Sequence, residues 1–279
     1  MADSWSHSSP GAGGLWREVR ASYAFVERNV FLVRRYWGWE IAFLVYNVTS
    51  SLSVMYIGKA QQVQGDQLIL YLGIGTLVWS YLRSVFANIS EMISWERWEG
   101  TIEYTMMAPV SRLTHMLGVS LFSVAYGIVR TAVLLGALAL FFDVSLGHAN
   151  FVGALVVILI GSLSFIGIGI MAAVLPLLFT ERGEEMTFII SSVLLLVSGV
   201  YYPISVLPGW MQTVARISPA TYVLDGMRAT VLDGAGTGQV LRYLVPMALI
   251  GAITIPLGMA VFSSVERYAK RTGRLKRSG

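Results

Sequence analysis

VSLGHANFVGALVVILIGSLSFIGIGIMAAVLPLLFT, residues 144–180, carries no acidic or basic side chain except His148. A helix needs about 20 mostly apolar residues to cross ~30 Å of hydrocarbon. This run is long enough with residues to spare, so it decides the class of fold. Working outward, the stretches 41–58, 67–82, 113–129, 186–215 and 243–265 also lack Asp, Glu, Lys and Arg. The second continues past Arg83 to residue 90, and the third past Arg130 to residue 142. Six spans are predicted, at about 39–59, 67–91, 114–142, 150–178, 186–202 and 241–264.

Composition agrees. Of 279 residues, 55% are hydrophobic and 13% charged, against about 25% charged in soluble domains. So few charges cannot cover a soluble surface, which excludes a cytosolic enzyme, a disordered chain and a nucleic-acid binder. The net charge of +4 does not argue for nucleic acid, because the basic residues sit at the edges of apolar runs. There is no cysteine, hence no disulfide framework and no thiolate chemistry. The three histidines, His7, His115 and His148, are too far apart in sequence to suggest a metal site. Residues 1–14 read as a disordered lead without the apolar segment of a signal peptide.

Lysine and arginine bias sets the expected orientation. With the N-terminus in the cytoplasm, 14 of the 20 basic residues flank spans on the inside and four on the outside. Both termini are therefore expected inside, which requires an even number of spans. The basic tail, 266–279, reads as an anchor to anionic lipid, with a specific partner site as the other reading.

Ahead of the first span, Leu15, Val19, Tyr23, Val26, Val30, Val33 and Trp37 recur at spacings of three and four. They form an apolar stripe on a helix over 15–37 whose other side is basic. Such a helix suits the cytoplasmic interface of a membrane or a cytosolic partner.

Between spans two and three lies EMISWERWEGTIEYTMMAPVSR, residues 91–112. In an unbroken helix over about 92–110, Glu96, Glu99 and Glu103 share one face, and Trp95, Trp98 and Ile102 the next. Gly100 is the place for a break, with Thr101 capping a second turn. Ser111 is placed to cap the third span. No nucleophile or metal-binding histidine pattern accompanies the carboxylates, so acid–base catalysis is not their role. A solvated face and a docking surface both fit, and the indoles beside the charges favour docking.

Glu99-Gly100-Thr101-Ile102-Glu103 followed by Ala108-Pro109-Val110-Ser111-Arg112, with Glu96 and Arg97 upstream, resembles the signature of the ABC-2 type transporter permeases. A second match is Tyr202-Pro203, Leu207-Pro208-Gly209-Trp210, Ser218-Pro219-Ala220-Thr221-Tyr222 and Arg228. It resembles the family's short re-entrant helices before the last span, here about 203–231. The resemblance implies an all-α polytopic membrane protein with six transmembrane helices, an N-terminal amphipathic interfacial helix and a cytoplasmic coupling helix. It also implies that Glu96, Arg97, Glu99, Gly100, Thr101, Glu103 and Pro109 couple the chain to a separate ABC ATPase. Two ATPase copies and a second permease, identical or not, would complete the machine in the bacterial inner membrane. The chain contains no G-x-x-x-x-G-K-[ST] phosphate loop. It is thus expected to be no enzyme and to hold no cofactor, with ATP and Mg bound by the partner.

Arg130, Tyr201 and Tyr202 are candidate pathway residues. An arginine at mid-span usually faces protein or water, so Arg130 either pairs with another span or contacts substrate. Arg83 can snorkel inward. The two tyrosines read equally as pathway or as an aromatic belt. Arg228 and Asp225, three residues apart, read as a structural pair. The functional expectation is export of an amphiphilic drug or lipid. A lipid-linked glycan is the alternative substrate. An intramembrane lipid-processing enzyme and an ion-motive transporter are the rival classes.

Overall fold

The computed structural model describes residues 12–60, 65–108, 110–142, 148–179 and 181–273. Among these there is no strand. Eleven α-helices follow in order: α1 (Ala12–Arg35), α2 (Trp37–Ala60), α3 (Gly65–Glu99), α4 (Ile102–Met107), α5 (Arg112–Ala139), α6 (Phe151–Ala172), α7 (Val174–Leu178), α8 (Gly183–Val197), α9 (Gly209–Ile217), α10 (Pro219–Val231) and α11 (Thr237–Arg271). Most of the expected lead, residues 1–11, lies outside the described residues, and Ala12 is already helical. Pro109 and residues 274–279 of the tail also lie outside them.

Among the described residues, five helical segments are long and apolar enough to cross a membrane: α2, α3, α5, α6 with α7, and α11. The run at 186–202 behaves differently. Its helix, α8, begins at Gly183 and stops at Val197, because Gly199 takes a positive φ of 71° and turns the chain away. Fifteen residues rise about 22 Å, short of the hydrocarbon thickness. The fourth predicted span is interrupted at Ala173. Pro176 lies in α7, and with no N–H it cannot continue the backbone ladder to residue 172.

The helix α3 is the spine, with Tyr81, Leu82, Val85, Phe86, Ile89 and Ile93 fully buried. Around it pack α2, α5, α6, α8 and α10, and α11 lies along α6. Small residues allow this closeness. A Cβ on Gly118 would stand 2.6 Å from the Ser22 carbonyl oxygen and 2.8 Å from the Phe25 Cβ, so α1 and α5 cross nearly in backbone contact.

Tyr71 and Glu96 mark opposite ends of the spine. They are 25 residues apart on α3, or about 37 Å. Near Tyr71 sit the turn after α8 and the helix α10. Near Glu96 sit α1, α4 and the start of α5. The last turns of α11 reach α4 and α5 at this same end.

Candidate functional site

At the Glu96 end of the spine the chain makes an elbow. The Gly100 N–H bonds to the Arg97 carbonyl (3.2 Å) and the Thr101 N–H to the Glu96 carbonyl (2.9 Å). This pair of bonds, with Gly100 at φ 73°, is a Schellman stop. The coupling helix expected over about 92–110 breaks at Gly100, the place the sequence offered, into two pieces: the last turns of α3, then α4. Thr101 stands at the start of α4 but its side chain does not cap it. Ser111 does cap α5, accepting from the Thr114 N–H at 3.1 Å.

The elbow is stapled from behind. Arg112 Nε donates to both Glu266 oxygens, at 2.9 and 3.0 Å. Its Nη1 donates to the Thr105 carbonyl at 3.0 Å and its Nη2 to the Met106 carbonyl. Lys270 Nζ reaches the Met106 carbonyl at 3.2 Å and Glu266 at 2.7 Å. Cations thus satisfy the open carbonyls of α4, as a helix C-terminus favours. Ile102 and Met106 are buried beneath.

The predicted coupling residues divide between interior and surface. Glu96 is 2% exposed and Arg97 1%, both inside. Glu99 and Glu103 are exposed, and Gly100 and Thr101 form the corner. Trp98, Tyr104 and Met107 stand out at 70%, 73% and 71%. Tyr104 and Met107 escaped the sequence reading. Their signal was the spacing of Ile102 and Met106, which turns residues 103, 104 and 107 outward once α4 is a helix of its own. Ile102 leaves the predicted aromatic face for the core for the same reason.

The helix α1 crosses the start of α5 and then the end of α3. Ser111 donates to the Glu18 carboxylate at 3.1 Å, and Thr114 also donates to it. These hydroxyls hold the Glu18 carboxyl below the usual range, the Thr114 bond contributing most. Ser22 Oγ donates to the Thr114 carbonyl at 3.2 Å. The inward face of α1 thus mixes polar Glu18, Ser22 and Arg28 with the Phe25 ring. Val19, Tyr23 and Val30 of the predicted stripe are exposed instead, while Val26 and Val33 are half-buried.

The other candidates are dispersed. Tyr201 packs half-buried against the core. The Tyr202 hydroxyl donates to the Leu196 carbonyl at 2.7 Å, closing the end of α8. Arg130 lies beside Tyr126, whose hydroxyl bonds to Glu40 at the start of α2, so this arginine belongs to a polar contact between α5 and α2. Arg83 lies over the Phe188 ring of α8. Arg228 does not join Asp225 in an ion pair. Its two Nη atoms donate to the Gly199 and Val200 carbonyls at 3.1 and 2.8 Å, and its guanidinium lies 3.5 Å from the Tyr71 ring centre.

A helical spine framed by membrane-length helices, with a stapled elbow at one end and short helices at the other, defines a multi-pass membrane protein. A family model for ABC-2 type transporters matches residues 23–232. The chain belongs to that family, whose members are membrane transport permeases. It is 25% identical over 154 residues to the inner membrane transport permease YadH of Escherichia coli K12. The match covers 55% of this chain and 59% of that relative. Permeases of the same name from Escherichia coli O157:H7 and Shigella flexneri match to the same extent. The chain thus spans somewhat more than half the length of these curated relatives.

Proposed function

We propose that this chain is the membrane subunit of an ATP-driven exporter in the bacterial inner membrane. It moves an amphiphilic substrate, a drug or a lipid, outward with energy from a separate ATPase. The observation that carries the reading is the elbow: Trp98, Glu99, Glu103, Tyr104 and Met107 project from a corner stapled to α5 and α11. Rigid aromatic side chains ringed by charge are the composition of an interface anchor. A docking surface that must transmit force also needs the rigid backing that Arg112, Glu266 and Lys270 supply. Counted as a crossing, α8 makes six spans, and both termini then lie on the cytoplasmic side with the elbow. The exposed Val19, Tyr23 and Val30 stripe of α1 supports an interfacial position for that helix. Two permease copies, or two related chains, would enclose the pathway between them.

The test is co-purification of the full chain from its native membranes with an ABC ATPase, followed by reconstitution of the complex. Replacing Trp98 and Tyr104 with alanine is expected to weaken the complex by about 30-fold or more, the loss of a hot spot of about 2 kcal/mol. Wild-type vesicles should expel a cationic fluorescent dye or translocate a fluorescently tagged phospholipid when ATP is supplied. Full retention of the ATPase by the double variant would remove the elbow as the docking site. Translocation of a lipid-linked glycan with neither dye nor phospholipid moved would favour the alternative substrate.

A further inference from the structure

Glu96 faces away from the exposed elbow and into the junction of three helices. Its Oε1 lies 2.8 Å from Arg28 Nη2 of α1 and 3.3 Å from His115 Nε2 of α5. Both Glu96 and His115 are about 1–2% exposed. The Phe25 ring brackets the pair, 4.5 Å from the His115 ring centre and 5.5 Å from the Arg28 guanidinium. Neither Glu96 oxygen nor either His115 nitrogen makes an aligned hydrogen bond. Arg28 and Glu96 bring opposite charges together across α1 and α3 at this junction. Buried charge clusters of this kind add little net stability compared with apolar packing, and their best-attested use is to fix register or to switch.

The position of this cluster gives it a task. Glu96 is also the residue whose carbonyl accepts the Thr101 N–H in the elbow. One residue thus belongs by its backbone to the proposed docking corner and by its side chain to α1 and α5. We propose that Glu96 is a positioning residue that clamps α1 and α5 to the end of α3, so that a displacement of the elbow carries all three helices together. This rests on the exporter reading for its purpose but not for its measurement. Glu99 and Glu103 do a different job from Glu96, although the three carboxylates are close in sequence: the first two face a partner, and the third faces the molecule's own helices.

The chain has no cysteine, so a pair of spin labels can be placed without background. One goes on α1 at Glu27→Cys and one on α9 at Thr213→Cys, both exposed and at opposite ends of the spine. In the reconstituted full chain, wild type is expected to give one narrow distance distribution. Glu96→Gln, which keeps the size and removes the charge, should add a second population of about 10% or more. Arg28→Gln should do the same, the double variant should be no broader than either single one, and Glu96→Asp should restore the narrow distribution. Additive broadening in the double variant, or an unchanged distribution in both single variants, overturns the clamp. If Glu96→Gln fails to fold, Arg28→Gln alone decides, because Arg28 is partly exposed. In the complex trapped with ATP and vanadate, labels on α1 and on α5 at Leu121→Cys should shift together in wild type and separately in Glu96→Gln. A wild-type chain that binds no ATPase would defeat the exporter reading while leaving the distance test of the clamp to stand or fall by itself.

Discussion

Arg228 illustrates what a single buried charge does in this fold. Its guanidinium gathers the Gly199 and Val200 carbonyls, which α8 leaves open where it ends, and stacks on Tyr71 of the spine. A carbonyl stripped of its donor in a buried place costs about 1–3 kcal/mol. Arg228→Ala is therefore expected to lower stability by about 3 kcal/mol or more, read as a lower thermal midpoint in detergent. Arg228→Lys should recover only part, because an ammonium cannot fork to two carbonyls and stack on a ring together. Full recovery by lysine would show that charge alone matters there. The i, i+3 spacing to Asp225 made a local pair the natural expectation. The guanidinium instead serves a turn some 28 residues earlier in the chain, and no local pattern announces such a partner.

Elements reveal a second kind of information. The docking of α1 on α5 depends on Glu18 taking hydroxyl donors from Thr114 and Ser111. A carboxyl held below its ordinary value of about 4.3 stabilises the fold above that pH. Its contribution disappears as pH falls through the lowered folded value. The thermal midpoint of wild type should thus exceed that of Glu18→Gln near neutrality, and the gap should close in the acid range below about pH 4. A gap independent of pH would mean that Glu18 acts by shape and not by charge. The elbow belongs to the same scale. Its position was readable from Gly100, and Ser111 capped α5 as the sequence suggested. The division of the acidic residues was harder to read: Glu96 turns inward, while Glu99 on the same helix and Glu103 on α4 face out.

At the scale of the whole molecule, α8 governs the count of crossings. It runs beside α3 from the Ser90–Thr187 hydroxyl contact at 2.9 Å up to the turn at Val200, which lies so close to Gly75 that a side chain there would strike the Val200 carbonyl. That climb stops about two to three turns short of the start of α3, which leaves α10 packed beside the spine. If α8 and its turn complete a sixth crossing, both ends of the chain lie on one side. Single cysteines at Glu27 and Thr272 should then react with a membrane-impermeant maleimide from the same side, and one at Thr213 from the other. Reaction of the Glu27 and Thr272 positions from opposite sides would reduce the count to five.

Sequence alone determined the helical membrane fold, the limits of α2 and α5 to within a few residues and the place of the elbow. These follow from local quantities: the length of an uncharged run and the positive φ open to glycine. Which way a helix faces is not such a quantity. In a lipid-bathed bundle an apolar stripe is welcome on either side, so the stripe of α1 did not identify its packing face, and a face of Glu18, Ser22, Phe25 and Arg28 was chosen by the partners that α3 and α5 present. The inward turn of Glu96, the service of Arg228 to a distant turn and the early end of α8 were likewise decided only by tertiary structure. Each depends on a charge or a carbonyl brought close by other helices, at separations of tens of residues that no spacing rule encodes.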